Sequence, residues 1–241
     1  MKMKPYDQVS IIYDNLMNNI DYDSWSKYII SITRENINFN PVILELGAGN
    51  CKLANLISSK YKNYLATDIS LPMLSTSIDS SVNKICCDMT ALPFKNKFDL
   101  IFSTFDSINY ILKKKSLLKL FLGVSLLLKE KGIFTFDVSL EENSLKFIID
   151  KITEGNFNGI HYKLISKYNK RNRIHSNNFY IWNRAGKKIT EIHKEKIYKI
   201  DTYFSLAQKA GLYVAECYDC FDFNDVSKKS KRAQFIMRKI N

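Results

Sequence analysis

Long apolar runs are missing from this chain of 241 residues. No uninterrupted hydrophobic stretch reaches the roughly 18 to 20 residues that a membrane-spanning helix requires, so we expect no membrane partner. The opening segment MKMKPYDQVS also lacks the apolar core of roughly 7 to 15 residues that defines a secretory signal. The sequence therefore predicts a cytoplasmic protein.

Cysteine is scarce and follows no recognisable framework. The five cysteines lie at positions 51, 86, 87, 217 and 220, and an odd number without regular spacing argues against a disulfide scaffold. Structural zinc sites usually show two spaced cysteine pairs or a set of cysteine and histidine, whereas Cys86 and Cys87 are adjacent. We therefore expect no metal site and interpret these cysteines as small core residues.

Arginine is rare among the basic residues, although the formal net charge is +12. Nucleic-acid recognition favours the planar fork of arginine, so a lysine-rich chain is weak evidence for such a partner. We interpret the basic runs at 113–115 and 228–232 as solvated faces. Binding to RNA is the less favoured alternative.

The chain does contain a regular alternation of strand-like and helix-like segments. The predicted strands are VILEL, YLATDIS, VNKICCDM, FDLIFST and IFTFDVS, and the helices between them cover 51–61, 71–79 and 115–132, the last ending at Gly132. This alternation predicts an α/β fold with a Rossmann-like, doubly wound, mostly parallel sheet. Ligands of such sheets bind at the carboxyl ends of the strands.

Three other segments complete the predicted organisation. Apolar residues at helical spacing predict two helices before Pro41, which form an N-terminal helical lid over residues 1–40. Short aromatic segments in 141–196 predict an inserted antiparallel β layer. The core comprises 41–140 and 197–241, where a final helix and two strands bring the sheet to seven strands.

Glycine is also sparse, and two of the eight glycines follow the first strand. Gly47 and Gly49 let the backbone approach a ligand closely. The third glycine of a dinucleotide signature is absent, and the carboxylate of Glu45 beside a diphosphate would be unfavourable. Glu45 favours the ammonium of an amino acid, which argues against a nicotinamide cofactor.

Two further acids end the next strands. Asp68 is placed to accept hydrogen bonds from both ribose hydroxyls, and Asp88 is placed to accept one from an adenine amino group. Each acid alone is weak evidence, because aspartate is common as a helix cap. The ordered set indicates a ligand in which an amino acid is joined to a nucleoside.

At this point the motifs resemble those of class I S-adenosylmethionine-dependent methyltransferases: Glu45-x-Gly47-x-Gly49, Asp68, CDMTALPF with FDLI, and KGIFTFDV. IYDNLMNNIDYDSWSKYI, FDSINYI and EIHKEKIY are similar to a bacterial group of small methyltransferases. That group is related to amino-sugar N,N-dimethyltransferases and more distantly to glycine N-methyltransferase. The likeness spans nearly the whole chain and implies S-adenosylmethionine as the cofactor.

The resemblance also implies where the cofactor binds. Glu45 and the glycine turn would lie under its methionine part, Asp68 would hold the ribose, and Tyr13 with Trp25 would form the lid. The implied cofactor-binding residues are Tyr13, Trp25, Glu45, Gly47, Ala48, Gly49, Asp68, Ile69, Asp88, Met89 and Phe105. Residues 41–140 and 197–241 become the cofactor-binding core, and 141–196 becomes the substrate-pocket region.

Two positions depart from the family pattern. Cys51 replaces the last glycine of Gly-x-Gly-x-Gly, and Lys196 replaces the arginine that is usual in His-x-x-Arg-x-Tyr. A side chain at Cys51 is tolerated if it faces the protein and crowds the cofactor if it does not.

Methyl transfer from a sulfonium requires mainly a nucleophile that is held in line and kept dry. His193 and Tyr198 are the candidate catalytic residues, with His193 accepting a proton from an amine or hydroxyl, and the substrate-orienting neighbours are Asp106, Asn109 and Tyr110. The alternative for His193 is a hydrogen-bonded residue of an edge strand. We expect His161 and His175 on the surface, and Trp182 either over the pocket or in the core.

The resulting hypothesis is methyl transfer to a nitrogen or oxygen atom of a small molecule. Two alternatives share the fold: a tRNA methyltransferase, motivated by the net charge, and a non-catalytic regulatory protein that binds the cofactor, motivated by Cys51.

Overall fold

The computed structural model describes residues 5–34, 39–76 and 82–240. Its strands are β1 Ile43–Leu46, β2 Tyr64–Asp68, β3 Asn83–Cys86, β4 Phe98–Ser103, β5 Leu128–Ser139, β6 Lys151–Phe157, β7 Ile160–Asn169, β8 Ile174–Trp182, β9 Lys188–Lys196, β10 Leu212–Asp219 and β11 Arg232–Lys239. Its helices are α1 Tyr13–Leu16, α2 Tyr22–Arg34, α3 Lys52–Ser58, α4 Leu71–Ser75, α5 Lys114–Leu127, α6 Glu141–Leu145 and α7 Ile200–Lys209, with 3-10 turns at Val9–Ile11 and Ser107–Tyr110.

A seven-stranded sheet with the order β10-β11-β5-β4-β1-β2-β3 forms the core. Its neighbouring strands pair in parallel except on both sides of β11, which runs antiparallel to β5 and β10. Continuous burial of β1 and β4 explains why both read as uninterrupted apolar segments. The mostly parallel, Rossmann-like fold predicted from the alternation is confirmed.

Helices cover both faces of this sheet. The buried face of α5, formed by Leu117, Leu120, Phe121 and Val124, packs in one apolar cluster with residues of α7. On the opposite face, α2 contributes Trp25, Tyr28, Ile29 and Ile32 to a second cluster, which also holds Leu53 and Ile57 of α3. The spacing of three and four residues places each of these sets on one side of its helix.

The smaller sheet has the order β6-β7-β8-β9 and is antiparallel throughout. It confirms the predicted antiparallel layer and adds the strand β6, which the sequence did not reveal. The segment from Lys151 to Phe157 is largely exposed, and its one isoleucine, Ile152, lies on the surface, so it lacks the alternation of a half-buried strand.

Two local predictions are wrong. Helix α5 ends at Leu127, before the predicted end at Gly132, because Leu128 is buried and pairs with Phe98 as the first residue of β5. The basic run at 228–232 is not a solvated face throughout, since Arg232 pairs with Asp106 and Asp137. In both cases tertiary contacts override a local pattern.

Before β1, the described residues form a short 3-10 turn and two helices, and α2 packs against α3. Residues 5–12, which we call the strap, run over the smaller sheet. Val9 and Ile12 of the strap form an apolar cluster with Tyr162, Phe179 and Ile181. Within 5–34, 39–76 and 82–240, no helix combines the length and hydropathy needed to cross a membrane.

Candidate functional site

A cavity of about 810 Å³ opens at the carboxyl ends of β1, β2 and β4, where the strand order reverses. Its wall comes from the strap, from the turn after β1, from the ends of β2, β3 and β4, and from β9. A volume of this size is within the range of pockets for small organic ligands. The candidate site therefore lies where the alternating pattern predicts it.

The turn after β1 brings backbone directly to the cavity wall. Gly47 and Gly49 have φ angles of +73° and +57°, a region that favours glycine. A Cβ at Gly47 would lie 2.9 Å from both Cβ and Oγ of Ser107. A side chain at Gly47 would therefore collide with Ser107, another residue of the cavity wall.

Cys51, which occupies the third glycine position, faces the protein. Its backbone is left-handed, with φ at 61°, and precedes the first residue of α3. The side chain is fully buried in the cluster with Leu53 and Ala54, and it is not part of the cavity wall. The Cys51 side chain therefore does not crowd a ligand in the cavity.

Glu45, the acid that precedes the turn, is almost fully buried at the cavity wall. Tyr64 Oη donates a hydrogen bond to Glu45 Oε2 at 2.7 Å. Burial raises the pKa of Glu45 to about 7, with the negative charge of Asp68 adding to the shift and the Tyr64 hydrogen bond opposing it. A cationic ligand group in the cavity would offset this cost of charging.

Asp68 at the end of β2 lies between the glycine turn and α4. Its Oδ2 accepts a hydrogen bond from the Gly49 amide and its Oδ1 accepts one from the Ser70 amide, both at 2.8 Å. Burial raises the pKa of Asp68, although these amides favour its charged form. The carboxylate is thereby held in a fixed orientation at the cavity wall.

The far end of the cavity is more open. Asp88 is exposed, accepts a hydrogen bond from the Thr90 amide at 2.7 Å and lines the wall beside Met89. Phe105 also lines the wall and has a left-handed φ of 57°. Trp25 is not in the wall but packs against Phe105, with ring centroids 4.6 Å apart. Trp25 thus supports a wall residue from behind.

On the side of the smaller sheet, polar side chains form a continuous chain of hydrogen bonds. The hydroxyls of Tyr6 and Tyr110 are 2.7 Å apart, and both residues line the cavity. Tyr110 Oη lies 3.1 Å from His193 Nδ1, and His193 Nε2 lies 2.6 Å from Glu191 Oε1. Buried His193 is not itself part of the cavity wall and is connected to it through Tyr110 on one side and Glu191 on the other.

A buried ionic cluster adjoins these tyrosines. Arg232 forms ion pairs with Asp106, at 3.0 Å, and with Asp137. Burial raises the pKa of Asp137, although Arg232 opposes the shift, and Asp137 Oδ1 has no hydrogen-bond partner among the described residues. Burial and the charge of Asp106 likewise raise the pKa of Glu195, which accepts one hydrogen bond, from Asn177 at 3.4 Å. Two carboxylates thus share one guanidinium, and the charge of Arg232 also acts on Glu195.

Asn109 and Tyr198 have contacts that hold the scaffold together. Asn109 Nδ2 donates to the carbonyls of Ser139 and Lys196, at 3.2 and 3.0 Å, and so links β5 to the end of β9. Tyr198 Oη donates to the Ile111 carbonyl at 3.0 Å, and its ring lies in the main apolar cluster. Neither residue lines the cavity.

Several residues of the site were not singled out from the sequence, namely Tyr6, Glu191, Glu195, Asp137 and Arg232. A signal was present for two of them, because Glu191, His193 and Glu195 alternate along β9 and share one face. The predicted surface position of His175 is wrong, since it is buried on β8 opposite Glu195. His161 is exposed, as predicted. Trp182 ends β8 beside His161 and is not part of the cavity wall.

The cysteine pairs lie far apart in the sheet order. Cys86 ends the edge strand β3 and Cys217 lies in β10 at the opposite edge. Burial raises the pKa of Cys217 and of Cys220 to about 12, which keeps both thiols protonated. The two pairs therefore do not meet in one site.

Comparison with known proteins identifies the fold. Residues 43–132 match the family described as methyltransferase domain. The chain is 25% identical over 243 residues to YqeM of Bacillus subtilis (strain 168), which is provisionally named a methyltransferase. The alignment covers 97% of each chain. The matched range 43–132 includes the glycine turn and the three acids Glu45, Asp68 and Asp88.

Solved structures extend the likeness to the whole chain. A crystal structure of an S-adenosylmethionine-dependent methyltransferase from Clostridium acetobutylicum ATCC 824 has 27% sequence identity and a TM-score of 0.82, with 99% of this chain and 100% of that chain covered. The sugar N-methyltransferase KedS8 from Streptoalloteichus sp. ATCC 53650 shares the fold at 11% identity and a TM-score of 0.79, with 99% and 96% covered. The resemblance to class I methyltransferases inferred from the motifs is confirmed.

Proposed function

We propose, taking the class I methyltransferase fold of this chain as the premise, that it transfers a methyl group from S-adenosylmethionine to a nitrogen or oxygen atom of a small molecule. One observation carries the proposal: Glu45, Asp68 and Asp88 line a single cavity together with the glycine turn. A dinucleotide would place a diphosphate against this turn, where the adjacent carboxylates repel it.

The cavity wall fits the amino acid and nucleoside parts of this cofactor. The carboxylate of Glu45 would pair with the ammonium group, Asp68 would accept hydrogen bonds from the ribose hydroxyls, and Met89 with Asp88 would flank the adenine. Tyr13, Ala48, Ile69 and Phe105 would complete the contacts, and Trp25 would act by supporting Phe105. When bound, the cofactor supplies an electrophilic methyl group on a sulfonium.

We favour an amine nitrogen as the acceptor atom. Asp106 and Asp137 bring two carboxylates to one arginine behind the cavity wall, and the charge of Asp106 acts on the wall residue Tyr6. An ammonium group of a substrate would offset the carboxylate charge that one guanidinium leaves unbalanced. The inserted sheet, which contributes Glu195 and part of the wall, would form the acceptor side of the pocket.

An acceptor amine must lose a proton before its lone pair can attack the methyl group. His193 is our candidate for the final proton acceptor, reached through Tyr6 and Tyr110 by hydrogen bonds of 2.7 and 3.1 Å. We do not propose a catalytic role for Tyr198, since its hydroxyl donates to the Ile111 carbonyl in the core.

Calorimetric titration with S-adenosylhomocysteine tests the cofactor assignment. We expect wild-type protein to bind it with a micromolar dissociation constant, and absence of binding by folded protein would refute the proposal. Incubation with methyl-labelled S-adenosylmethionine and a fractionated pool of small amines then identifies the product. Binding without turnover on any fraction would favour the regulatory alternative.

A tRNA substrate is the second candidate, and a specific observation favours it. Lys52, Lys113 and Lys194 lie at the cavity wall, where they would attract an anionic acceptor. Affinity for tRNA that persists at physiological salt, together with transfer of the label to it, would support this candidate. Binding that vanishes at that salt concentration would leave the small-molecule proposal in place.

A further inference from the structure

The strap is fastened to the smaller sheet by a single carboxylate. Glu191 on β9 accepts hydrogen bonds from the backbone amides of Tyr6, Gln8 and Val9, the last two at 2.8 and 3.2 Å. Its Oε1 also contacts His193 Nε2 at 2.6 Å. Four donors thus converge on one nearly buried side chain.

The amides of Gln8 and Val9 lie at the start of a helical turn, where backbone amides have no acceptor within the turn itself. Gln8 and Val9 begin the 3-10 turn Val9–Ile11, and no side chain of the turn itself caps it. Glu191 supplies the missing acceptor from a distant part of the chain. Burial raises the pKa of Glu191, but hydrogen bonds from His193 and the strap amides outweigh this and leave its pKa below the ordinary value.

Tyr6 shows that the strap is held under strain. Its φ of 67° is uncommon for a tyrosine, and such conformations persist when surrounding contacts impose them. Besides the amide contact with Glu191, the Tyr6 hydroxyl meets Tyr110 and the Tyr6 carbonyl accepts from Ser70 Oγ at 3.4 Å. The strap is therefore bonded to Glu191 on β9 at one side and to Ser70, two residues after Asp68, at the other.

The same segment closes the cavity, because Pro5 and Tyr6 belong to its wall. We infer that Glu191 is a positioning residue that anchors the strap across the cavity, so that the cofactor enters and leaves only when these backbone hydrogen bonds break. The cofactor part of this inference rests on the proposed function. The anchoring part rests on the contacts of Glu191 alone.

Amide hydrogen exchange tests the anchor without any substrate. In Glu191→Gln, the side chain keeps its size but loses the charge, so the amides of Gln8 and Val9 should exchange at least about tenfold faster than in wild type. The matched control is Glu195→Gln, a buried glutamate four positions along the same strand, whose carboxylate does not contact the strap amides. There the exchange of Gln8 and Val9 should stay at the wild-type rate.

The rate at which S-adenosylhomocysteine dissociates after rapid dilution of the complex tests whether the strap acts as a gate for the cofactor. Release from Glu191→Gln should be several-fold faster than from wild type. Unchanged exchange at Gln8 and Val9 in Glu191→Gln would overturn the anchor, and faster exchange with unchanged release would overturn the gate. Failure of wild type to bind the ligand would instead overturn the proposed function, and the exchange result would still decide the anchor.

If Glu191→Gln does not fold, amide exchange of the wild-type protein with and without ligand tests the anchor. The amides of Gln8 and Val9 should be protected without ligand and more strongly protected with saturating S-adenosylhomocysteine. Exchange at the rate of an unstructured peptide in both states would overturn the inference.

Discussion

The amide of Gly49 donates a hydrogen bond of 2.8 Å to Oδ2 of Asp68. This contact joins the turn after β1 to the end of β2, two parallel strands that pair from Ile43 and Tyr64 onward. The glycine turn and the acid are therefore one structural unit. The second carboxylate oxygen is held by the Ser70 amide, so the orientation of Asp68 is set before any ligand binds.

Asp68→Asn should weaken binding of S-adenosylhomocysteine by at least about tenfold. The amide keeps the size of the side chain but offers one acceptor oxygen in place of two, so hydrogen bonds to a ligand and to the Gly49 amide are lost together. Calorimetric titration measures the change, and Asp201→Asn on the exposed face of α7 is the control. Equal affinity in Asp68→Asn and wild type would remove Asp68 from the proposed site.

Cys51→Gly should leave the affinity for S-adenosylhomocysteine unchanged, since the side chain is outside the cavity wall. Glycine relieves the strain of the left-handed φ of 61°, which raises the free energy of unfolding by roughly 1 to 2 kcal/mol. Loss of the small buried side chain lowers it. Cys51→Ala loses the sulfur and keeps the strain. We therefore expect a higher free energy of unfolding for Cys51→Gly than for Cys51→Ala in urea denaturation, and the reverse order would contradict the role assigned to φ.

The sequence was sufficient to predict features that depend on local periodicity and on parallel strands ending at one edge. Glu45 and Asp68 lie near the carboxyl ends of β1 and β2, Asp88 follows β3, and the structure brings all three to one cavity. The strand β6 was missed because its exposed residues show no alternation, and the end of α5 was misplaced because apolar residues continue into β5.

Contacts between distant segments could not be predicted from one sequence. Glu191 meets Tyr6 across 185 positions, and Arg232 meets Asp106 across 126. Nothing in the run KKSKR distinguishes Arg232, the one basic side chain of the run that turns inward, from its exposed lysines. The lid predicted over residues 1–40 was argued from helical spacing, and of this segment Pro5 and Tyr6 of the strap and Tyr13 and Tyr22 of the helices line the cavity.

Arg232→Met should destabilise the protein by about 3 to 5 kcal/mol near neutral pH, because it leaves Asp106 and Asp137 without their cation. Arg232 lowers the pKa of Asp137, so loss of Arg232 lets Asp137 gain a proton more readily as the pH falls, and the penalty should shrink. Urea denaturation at pH 7.5 and pH 5 measures this. The neighbouring exposed Lys231→Met is the control, with an expected change within about 0.5 kcal/mol. A loss for Arg232→Met that does not decrease at pH 5 would argue against this charge balance.

Glu45→Gln should become more stable relative to wild type as the pH rises from about 4.5 to about 7. Over this interval the unfolded chain releases the Glu45 proton, whereas the folded protein retains it because burial raises the pKa of Glu45 to about 7. Wild type therefore loses stability across that window, by an amount on the order of 3 kcal/mol, and glutamine does not.

Urea denaturation of both proteins at a series of pH values gives the difference directly. Glu154→Gln is the control with the opposite sign, since Lys163 holds the pKa of Glu154 below its ordinary value on the exposed strand β6. Its stability should fall slightly relative to wild type as the pH rises. A difference between Glu45→Gln and wild type that is independent of pH would mean that Glu45 ionises normally. With saturating S-adenosylhomocysteine, whose ammonium is the proposed partner of Glu45, the loss of wild-type stability should diminish, because a bound cation favours the charged carboxylate.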